Sequence, residues 1–171
     1  MFRRNLICSR QYFKRLNRNM ALPNIVFVLG GPGAGKGTQC ALIVKAMRER
    51  MDKNPADCNF LIDGFPRNED NLKGWNRQME GKHKLQFVLF FDCANDICIK
   101  RCLDRGKAGS GRSDDNLDSL KKRIITYNGC TRPIIDYYNK LGLVRQVEAS
   151  GMPEQVFELV KKHFNAVINK N

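Results

Sequence analysis

The sequence predicts an α/β fold, a three-layer sandwich in which a short parallel sheet of about four strands lies between helices. Apolar, β-branched runs of strand length alternate with amphipathic helical patterns along most of the chain, which is typical of parallel βα units. A glycine-rich loop at 30–38 follows the first apolar run, 25–29, and precedes a helical pattern. The alternation implies right-handed crossovers between parallel strands, and in sheets of this kind ligands bind at the carboxyl ends of the strands.

Each further element follows from its local pattern. Apolar residues at three- and four-residue spacing predict a helix at 39–51, which Asn54-Pro55 ends. The apolar run at 85–91 is almost unbroken, as in a strand that is buried on both faces. Pro133 can kink or restart the helix that contains it. The elements predicted after the first helix are a strand at 60–63, a helix at 68–79, the strand at 85–91, helices at 97–103 and 117–139, a strand at 143–147 and a helix at 153–167.

Length and composition favour one domain, at 23–171, with a hydrophobic core. Of the 171 residues 42% are hydrophobic, and no apolar run approaches the roughly 20 residues that span a bilayer, so a membrane protein is not expected. Seven cysteines, an odd number without paired close spacing, predict reduced thiols in an intracellular compartment. Cys98 and Cys102 have no neighbouring His, so we interpret them as buried hydrophobic residues and not as zinc ligands.

The N-terminal segment, 1–22, carries much of the positive charge and is predicted to be a disordered extension. The net charge of the chain is +13, and residues 1–20 contain six basic and no acidic side chains. This composition is that of a mitochondrial transit peptide. The alternative is an extension from an upstream start codon, with Met20 as the usual initiator. A nucleic-acid-binding module is disfavoured, because only the basic N-terminal segment favours it.

The glycine-rich loop is suited to binding phosphate. Glycines let the backbone turn so that several N–H groups converge on one point beside the positive end of a helix. Lys36 adds a positive charge, and Thr38 offers a hydroxyl near a metal ion. The loop is a variant of the P-loop pattern, because Gly37 stands directly after the lysine where Ser or Thr is usual. We therefore predict a P-loop three-layer sandwich, against the alternative of an ordinary strand-to-helix turn.

Charged side chains at other strand ends and loops extend this predicted phosphate site. Asp63 and Asp92 both end apolar strands, where a carboxylate can hold magnesium, and the alternative for each is a capping or turn aspartate. Guanidinium groups bind phosphate oxygens in pairs and can close over a nucleotide to exclude water. Such arginines occur after a glycine turn, beside a flexible loop and on the following helix: Arg67, Arg105, Arg112 and Arg123.

Three motifs in this order resemble the nucleoside monophosphate kinases, most nearly the branch that acts on pyrimidine nucleotides. They are the loop at 30–38, Phe-Leu-Ile-Asp-Gly-Phe-Pro-Arg-Asn at 60–68 and Gly-Arg-Ser-Asp-Asp at 111–115, and the resemblance covers residues 24–169. It implies transfer of the γ-phosphoryl group of ATP to UMP, CMP or dCMP with Mg²⁺. It also implies a monomer in the cytoplasm and nucleus, with neither nucleic acid nor membrane as partner.

The resemblance implies a role for particular residues. Asp63 and Thr38 would bind the metal through water, and Asn71 would face the base, where its short amide can serve either pyrimidine. A short lid at 106–116 lacks the zinc cysteines of longer lids. The implied catalytic residues are Lys36, Arg112 and Arg123. The implied ATP-binding residues are Gly33, Ala34, Gly35, Lys36, Gly37, Thr38 and Arg105. The implied monophosphate-binding residues are Gly64, Phe65, Pro66, Arg67, Asn71, Arg112 and Arg123.

The chain departs from the family pattern between its first helix and the strand at 60–63. In the family a few dozen residues there form a short strand and a helical monophosphate-binding subdomain with its own arginine. Here only residues 39–59 lie between the two motifs, and the join falls near Val44 and Lys45. We therefore predict an internally shortened kinase with impaired transfer. The alternative is a catalytically silent protein that still binds ATP.

Overall fold

The structure is a computed structural model that describes residues 6–7, 22–51, 59–110 and 112–168. Its strands are β1 (Leu6–Ile7), β2 (Asn24–Gly30), β3 (Asn59–Asp63), β4 (Lys84–Asp92) and β5 (Val144–Glu148). Its helices are α1 (Lys36–Met51), α2 (Glu69–Met79), α3 (Asn95–Lys107), α4 (Leu117–Thr126), α5 (Arg132–Lys140) and α6 (Pro153–Ile168), and a π-helical turn, Tyr127–Thr131, joins α4 to α5.

The strands form one sheet in the order β1-β3-β2-β4-β5. The four strands from β2 to β5 pair in parallel, which confirms the predicted α/β class and the predicted parallel sheet. The sequence did not predict β1, which pairs antiparallel with β3 so that Leu6 lies opposite Ile62. Most of the extension predicted at 1–22 falls outside the described residues.

The core has two halves, one on each face of the sheet. On one face Val28, Leu89 and Phe91 pack with buried residues of α1 and α6. On the other face Phe27 and Phe90 pack with buried residues of α2 and α5. Successive side chains of a strand point to opposite faces, so the unbroken apolar run of β4 fills both halves. This arrangement confirms the three-layer sandwich.

The region predicted as one helix at 117–139 consists of α4, the π-helical turn and α5. The backbone stays helical from α4 through the π-helical turn into α5, since Thr126, Tyr127 and Thr131 all have αR dihedral angles. Pro133 follows this turn directly, so the predicted helix is continuous and changes its hydrogen-bond spacing just before the proline. The insertion of a π-helical turn is a local widening of the helix, and it sets the position of residues that face the site described below.

Two further expectations concern the cysteines and membranes. Cys98 and Cys102 are 2% and 0% exposed, which confirms them as buried residues, and burial raises the pKa of the Cys98 thiol to about 12. Among the described residues, no group of His, Cys, Asp and Glu side chains could hold a metal ion by itself. No helix in the described part of the chain has the length and apolar character needed to cross a bilayer.

Candidate functional site

A cleft of about 280 Å³ opens where the parallel strands end, beside the glycine-rich loop. Gly30, at the end of β2, and Gly64, just after β3, both line it. Four basic side chains also line it: Lys36, Arg67, Lys122 and Arg123. A cleft lined by several cations beside the start of a helix is suited to a ligand with several negative charges.

The loop before α1 needs glycine where helix α3 packs against it. A Cβ atom placed on Gly33 would lie 2.4 Å from the carbonyl oxygen of Cys98 and 2.9 Å from Sγ of Cys102. Gly33 also has a φ of 87°, which side chains rarely adopt. The loop therefore keeps its shape only with glycine at this position, and the buried cysteines of α3 form its back wall.

Lys36 is the first residue of α1 and folds back over the loop. Its Nζ donates hydrogen bonds to the carbonyl oxygens of Gly30 and Gly31, each at 2.7 Å. Burial lowers the pKa of Lys36, and the nearby carboxylate of Asp63 partly offsets this effect. The ammonium group is thus held at the mouth of the loop, where phosphate oxygens could replace the two carbonyl oxygens as acceptors.

Asp63 ends β3 close to Lys36. Burial raises the pKa of Asp63, while Lys36 and Arg67 lower it. Its Oδ1 atom is buried and has no hydrogen-bond partner among the described residues. Because a buried carboxylate oxygen without a partner is costly, it is suited to accept from a water molecule on a cation.

Arg67 lies in the loop between β3 and α2, and its hydrogen bonds join it to residues on either side of it in sequence. Nε of Arg67 donates to the carbonyl oxygen of Gly64 at 2.7 Å, and its main-chain N–H donates to Oδ1 of Asn71 at 3.2 Å. Asn68 caps α2, because its side chain accepts from the N–H of Asn71. The side-chain oxygen of Asn71 already accepts the hydrogen bond from the N–H of Arg67, so the NH₂ group of Asn71 is the part that can bind a ligand.

Phe65 and Pro66 lie beneath this loop. The Phe65 ring packs edge-on against Phe27, at 5.7 Å between centroids, and at a tilt against Trp75, at 5.4 Å. Pro66 is buried. These two residues, which the resemblance assigned to the monophosphate, support the loop from below in this structure, while Arg67 is exposed on it.

Arg105, at the end of α3, forms an ion pair with Asp115. Nε and Nη2 of Arg105 donate to the two carboxylate oxygens of Asp115 at 2.8 and 2.6 Å. Ser110 donates a third bond to the same carboxylate at 3.0 Å. The hydrogen bonds from Arg105 hold the pKa of Asp115 at about 2. Asp115 has no exposed side-chain surface, and the ion pair thus connects the start of the predicted lid to its end.

The predicted arginines divide into two groups. Arg67 and Arg123 line the cleft with Lys36, whereas Arg105 and Arg112 do not. Nη1 of Arg123 lies 3.0 Å from Oδ2 of Asp114, in an ion pair without hydrogen-bond geometry. The structure thus brings Lys36, Arg67 and Arg123 together in the cleft. Arg105 and Arg112 lie outside it, beside the predicted lid.

Asp92, the second predicted carboxylate, lies elsewhere. Its Oδ2 accepts a hydrogen bond from Gln146 on the neighbouring strand β5, and its carbonyl oxygen accepts from the N–H of Ala149. Asp92 is not part of the cleft lining. Asp92 is the last residue of β4 and bonds to the neighbouring strand, so it is neither a carboxylate of the cleft nor a helix cap or turn residue.

Sequence reasoning missed several residues at the cleft. Lys122 precedes Arg123 on α4 and lines the cleft, although no sequence motif includes it. Tyr127 lies beside the loop, since a Cβ atom on Gly31 would be 3.7 Å from its ring. Thr131 donates a hydrogen bond to the carbonyl oxygen of Arg67 at 2.9 Å. The apolar spacing of 117–139 carried no signal for the last two, because the π-helical turn decides which way they face.

Comparison with protein families supplies an independent observation. Residues 41–143 match the family model of adenylate kinase. The chain is 47% identical to the UMP-CMP kinase of Gallus gallus, 46% to that of Bos taurus and 44% to that of Homo sapiens. Each of the three alignments extends over 192 positions, 84% of this chain and 97% of the relative.

These alignments are longer than the chain itself. Since 84% of 171 residues is about 144, about 48 of the 192 aligned positions have no residue in this chain. This total of unmatched positions agrees with the prediction of an internally shortened chain.

Proposed function

This chain belongs to the nucleoside monophosphate kinases, the family of the adenylate and UMP-CMP kinases, and on that premise we propose that its acceptors are UMP, CMP and dCMP. Nucleoside monophosphate phosphorylation with ATP is the activity of the family. The single observation that supports a site for it here is the cleft in which Lys36, Arg67 and Arg123 meet at the carboxyl ends of the strands.

The proposed reaction depends on charge and position more than on proton transfer. An acceptor phosphate is already ionised at neutral pH, so no general base is needed. The loop at 33–38 binds the ATP phosphates, Lys36 neutralises the charge that develops on the transferring group, and Arg123 reaches it from α4. Arg105 contacts ATP. Arg112, exposed at the lid, reaches the phosphates when the lid closes.

Mg²⁺ is the proposed cofactor, and the donor set fits it. Magnesium keeps several of its waters and binds proteins through one or two carboxylates together with substrate phosphates. Asp63, with its unpaired buried oxygen, and Thr38, exposed near the start of α1, would hold it through water. Bound there, the ion would neutralise charge on the ATP phosphates.

The acceptor occupies the side of the cleft that Gly64, Arg67 and Asn71 form. Arg67 binds the monophosphate, and Asn71 faces the base with the NH₂ group that remains free of Arg67. Phe65 and Pro66 shape the floor of this side. These groups supply one wall only, and one wall neither orients the acceptor fully nor excludes water. Transfer by the shortened chain is therefore impaired.

The second candidate is a catalytically silent protein that binds ATP. The intact loop and the intact Arg105–Asp115 pair favour ATP binding independently of the acceptor. A coupled assay of ADP formation with MgATP and UMP, CMP or AMP separates the two candidates. Turnover with UMP and CMP that exceeds turnover with AMP, and that Lys36→Ala abolishes, supports the kinase. Tight MgATP binding with turnover no higher than that of Lys36→Ala supports the silent protein.

The remaining assignments follow the family resemblance. The proposed kinase core is 23–171 with a lid at 106–116, and 1–22 is a basic N-terminal extension, most of which lies outside the described residues. The protein acts as a monomer, without nucleic acid or membrane as partner. It is placed in the cytoplasm and nucleus, with mitochondria as the alternative because of the arginine-rich N-terminus.

A further inference from the structure

The π-helical turn Tyr127–Thr131 connects two parts of the cleft. At its start Tyr127 lies beside Gly31 of the glycine-rich loop, with 3.7 Å between its ring and a Cβ atom placed on that glycine. At its end Thr131, only 8% exposed, donates a hydrogen bond of 2.9 Å to the carbonyl oxygen of Arg67. One turn thus contacts the loop proposed for ATP and the residue proposed for the acceptor. Such turns within helices frequently mark functional positions.

Three hydrogen bonds join Arg67 to other residues in the described part of the chain, and they differ in how many residues of sequence they span. Its Nε bonds to Gly64, three residues away, and its N–H bonds to Asn71, four residues away. Both bonds belong to the same short loop and move with it. The bond to Thr131 spans 64 residues of sequence and fixes the main chain of Arg67 to another element. Of these three bonds, the one from Thr131 therefore sets where Arg67 lies relative to the rest of the cleft.

We propose, on the basis of the function proposed above, that Thr131 is a positioning residue for the acceptor phosphate. Thr131 holds the main chain of Arg67 so that the guanidinium group meets the acceptor at a fixed distance from Lys36 and Arg123. In-line transfer needs this distance to be defined, and a loose arginine binds phosphate less tightly because it must be ordered first. ATP is held by other groups, so its affinity does not depend on this bond.

Three substitutions distinguish the effect of the Thr131 hydroxyl group from that of the rest of its side chain and of the neighbouring residue. Thr131→Val keeps the shape of the side chain and removes the donor, which leaves the carbonyl oxygen of Arg67 without it. Thr131→Ser keeps the donor and removes a methyl group. Cys130→Ala changes the neighbouring, exposed residue of the same turn and leaves the bond intact. Circular dichroism establishes that each variant folds, and Thr131→Ala replaces the valine variant if that one does not fold.

Calorimetric titrations with UMP and, separately, with MgATP test the proposal. We expect Thr131→Val to weaken UMP binding by up to about tenfold, as for the loss of one neutral hydrogen bond that positions Arg67, and to change MgATP binding less than about twofold. Thr131→Ser restores UMP binding, and Cys130→Ala leaves both affinities unchanged. Hydrogen exchange of the amides at 64–71 rises in the valine variant and stays low in the serine variant.

The outcomes distinguish this proposal from the function on which it rests. Unchanged UMP affinity in Thr131→Val, or an equal loss of UMP and MgATP affinity, would overturn the positioning role and leave the kinase function standing. Failure of Thr131→Ser to restore UMP binding would also overturn it. A wild-type protein that binds MgATP but not UMP overturns the proposed acceptor, and the role of Thr131 toward that acceptor with it.

Discussion

Arg105 and Asp115 form a two-point ion pair that joins the end of α3 to the segment leading into α4. The two N···O distances are 2.8 and 2.6 Å, and the carboxylate has no exposed surface. The main chain at Gly106 and the main chain at Asp115 lie so close that a Cβ atom on Gly106 would be 2.7 Å from the carbonyl oxygen of Asp115. Asp115 thus orients Arg105, the residue proposed to contact ATP. The sequence motifs had placed Asp115 in the lid but had not identified Arg105 as its partner.

Asp115→Asn should weaken MgATP binding about tenfold, because Arg105 loses a charged partner that fixes its side chain. Calorimetry with MgATP measures this change. Asp118→Asn is the matched control, since Asp118 is exposed in the first turn of α4. Equal MgATP affinity in wild type and Asp115→Asn would show that Arg105 needs no such orientation.

The ion pair between Arg105 and Asp115 also predicts that the free energy of unfolding depends on pH. The pKa of Asp115 is about 2 in the folded protein, below its usual 3.8, so protonation favours the unfolded state. The stability that the pair contributes is fully present above about pH 4 and is lost as the pH falls toward about 2. Urea unfolding at pH 7, 4, 3 and 2 should show the difference between wild type and Asp115→Asn shrinking across this window. A difference that stays constant down to pH 2 contradicts the assignment.

Lys36→Ala should weaken MgATP binding by at least about tenfold, since a charge-assisted hydrogen bond to phosphate contributes about 1.5 to 3 kcal/mol. Lys45→Ala, an exposed lysine on the same helix, should have no effect. Calorimetry measures both. The absence of MgATP binding by a folded wild-type sample would contradict the proposed role of the loop as a whole.

Restoring the missing segment should increase transfer to UMP and CMP by at least roughly a hundredfold. The segment of the Gallus gallus UMP-CMP kinase that has no counterpart here would be inserted between Val44 and Lys45. The second wall then orients the acceptor and shields it from water. Steady-state rates of both proteins under saturating MgATP measure the change. Comparable turnover would show that the cations already present suffice.

The location of the protein can be tested with a fluorescent protein fused to its C-terminus. We expect fluorescence in the cytoplasm and nucleus, because the basic pattern at 1–20 is irregular and not that of a regular amphipathic helix. A fusion without residues 1–18 should show the same distribution. Mitochondrial fluorescence that disappears with this deletion would support the transit peptide instead.

Local sequence predicted most of the elements and the identity of the phosphate loop. The apolar run of β4 and the Gly-rich loop before Lys36 could be interpreted without the fold, because side-chain hydrophobicity and the conformational freedom of glycine belong to the residues themselves. Asp63, Arg67 and Arg123 were predicted from their place after a strand, after a turn and on a helix. The shortened interval between the first helix and β3 was also visible from spacing alone.

Tertiary structure decided which of these residues meet. Asp63 and Asp92 look alike in sequence, yet Gln146 of β5 engages Asp92 while Asp63 keeps an unpaired oxygen beside Lys36. Thr131 contacts Arg67 across 64 residues of sequence, and this contact depends on a π-helical turn that apolar spacing does not reveal. The spacing of apolar residues along the chain predicts which face of a helix or strand is buried. A hydrogen bond between two elements depends on how their faces pack, and that packing exists only in the folded chain.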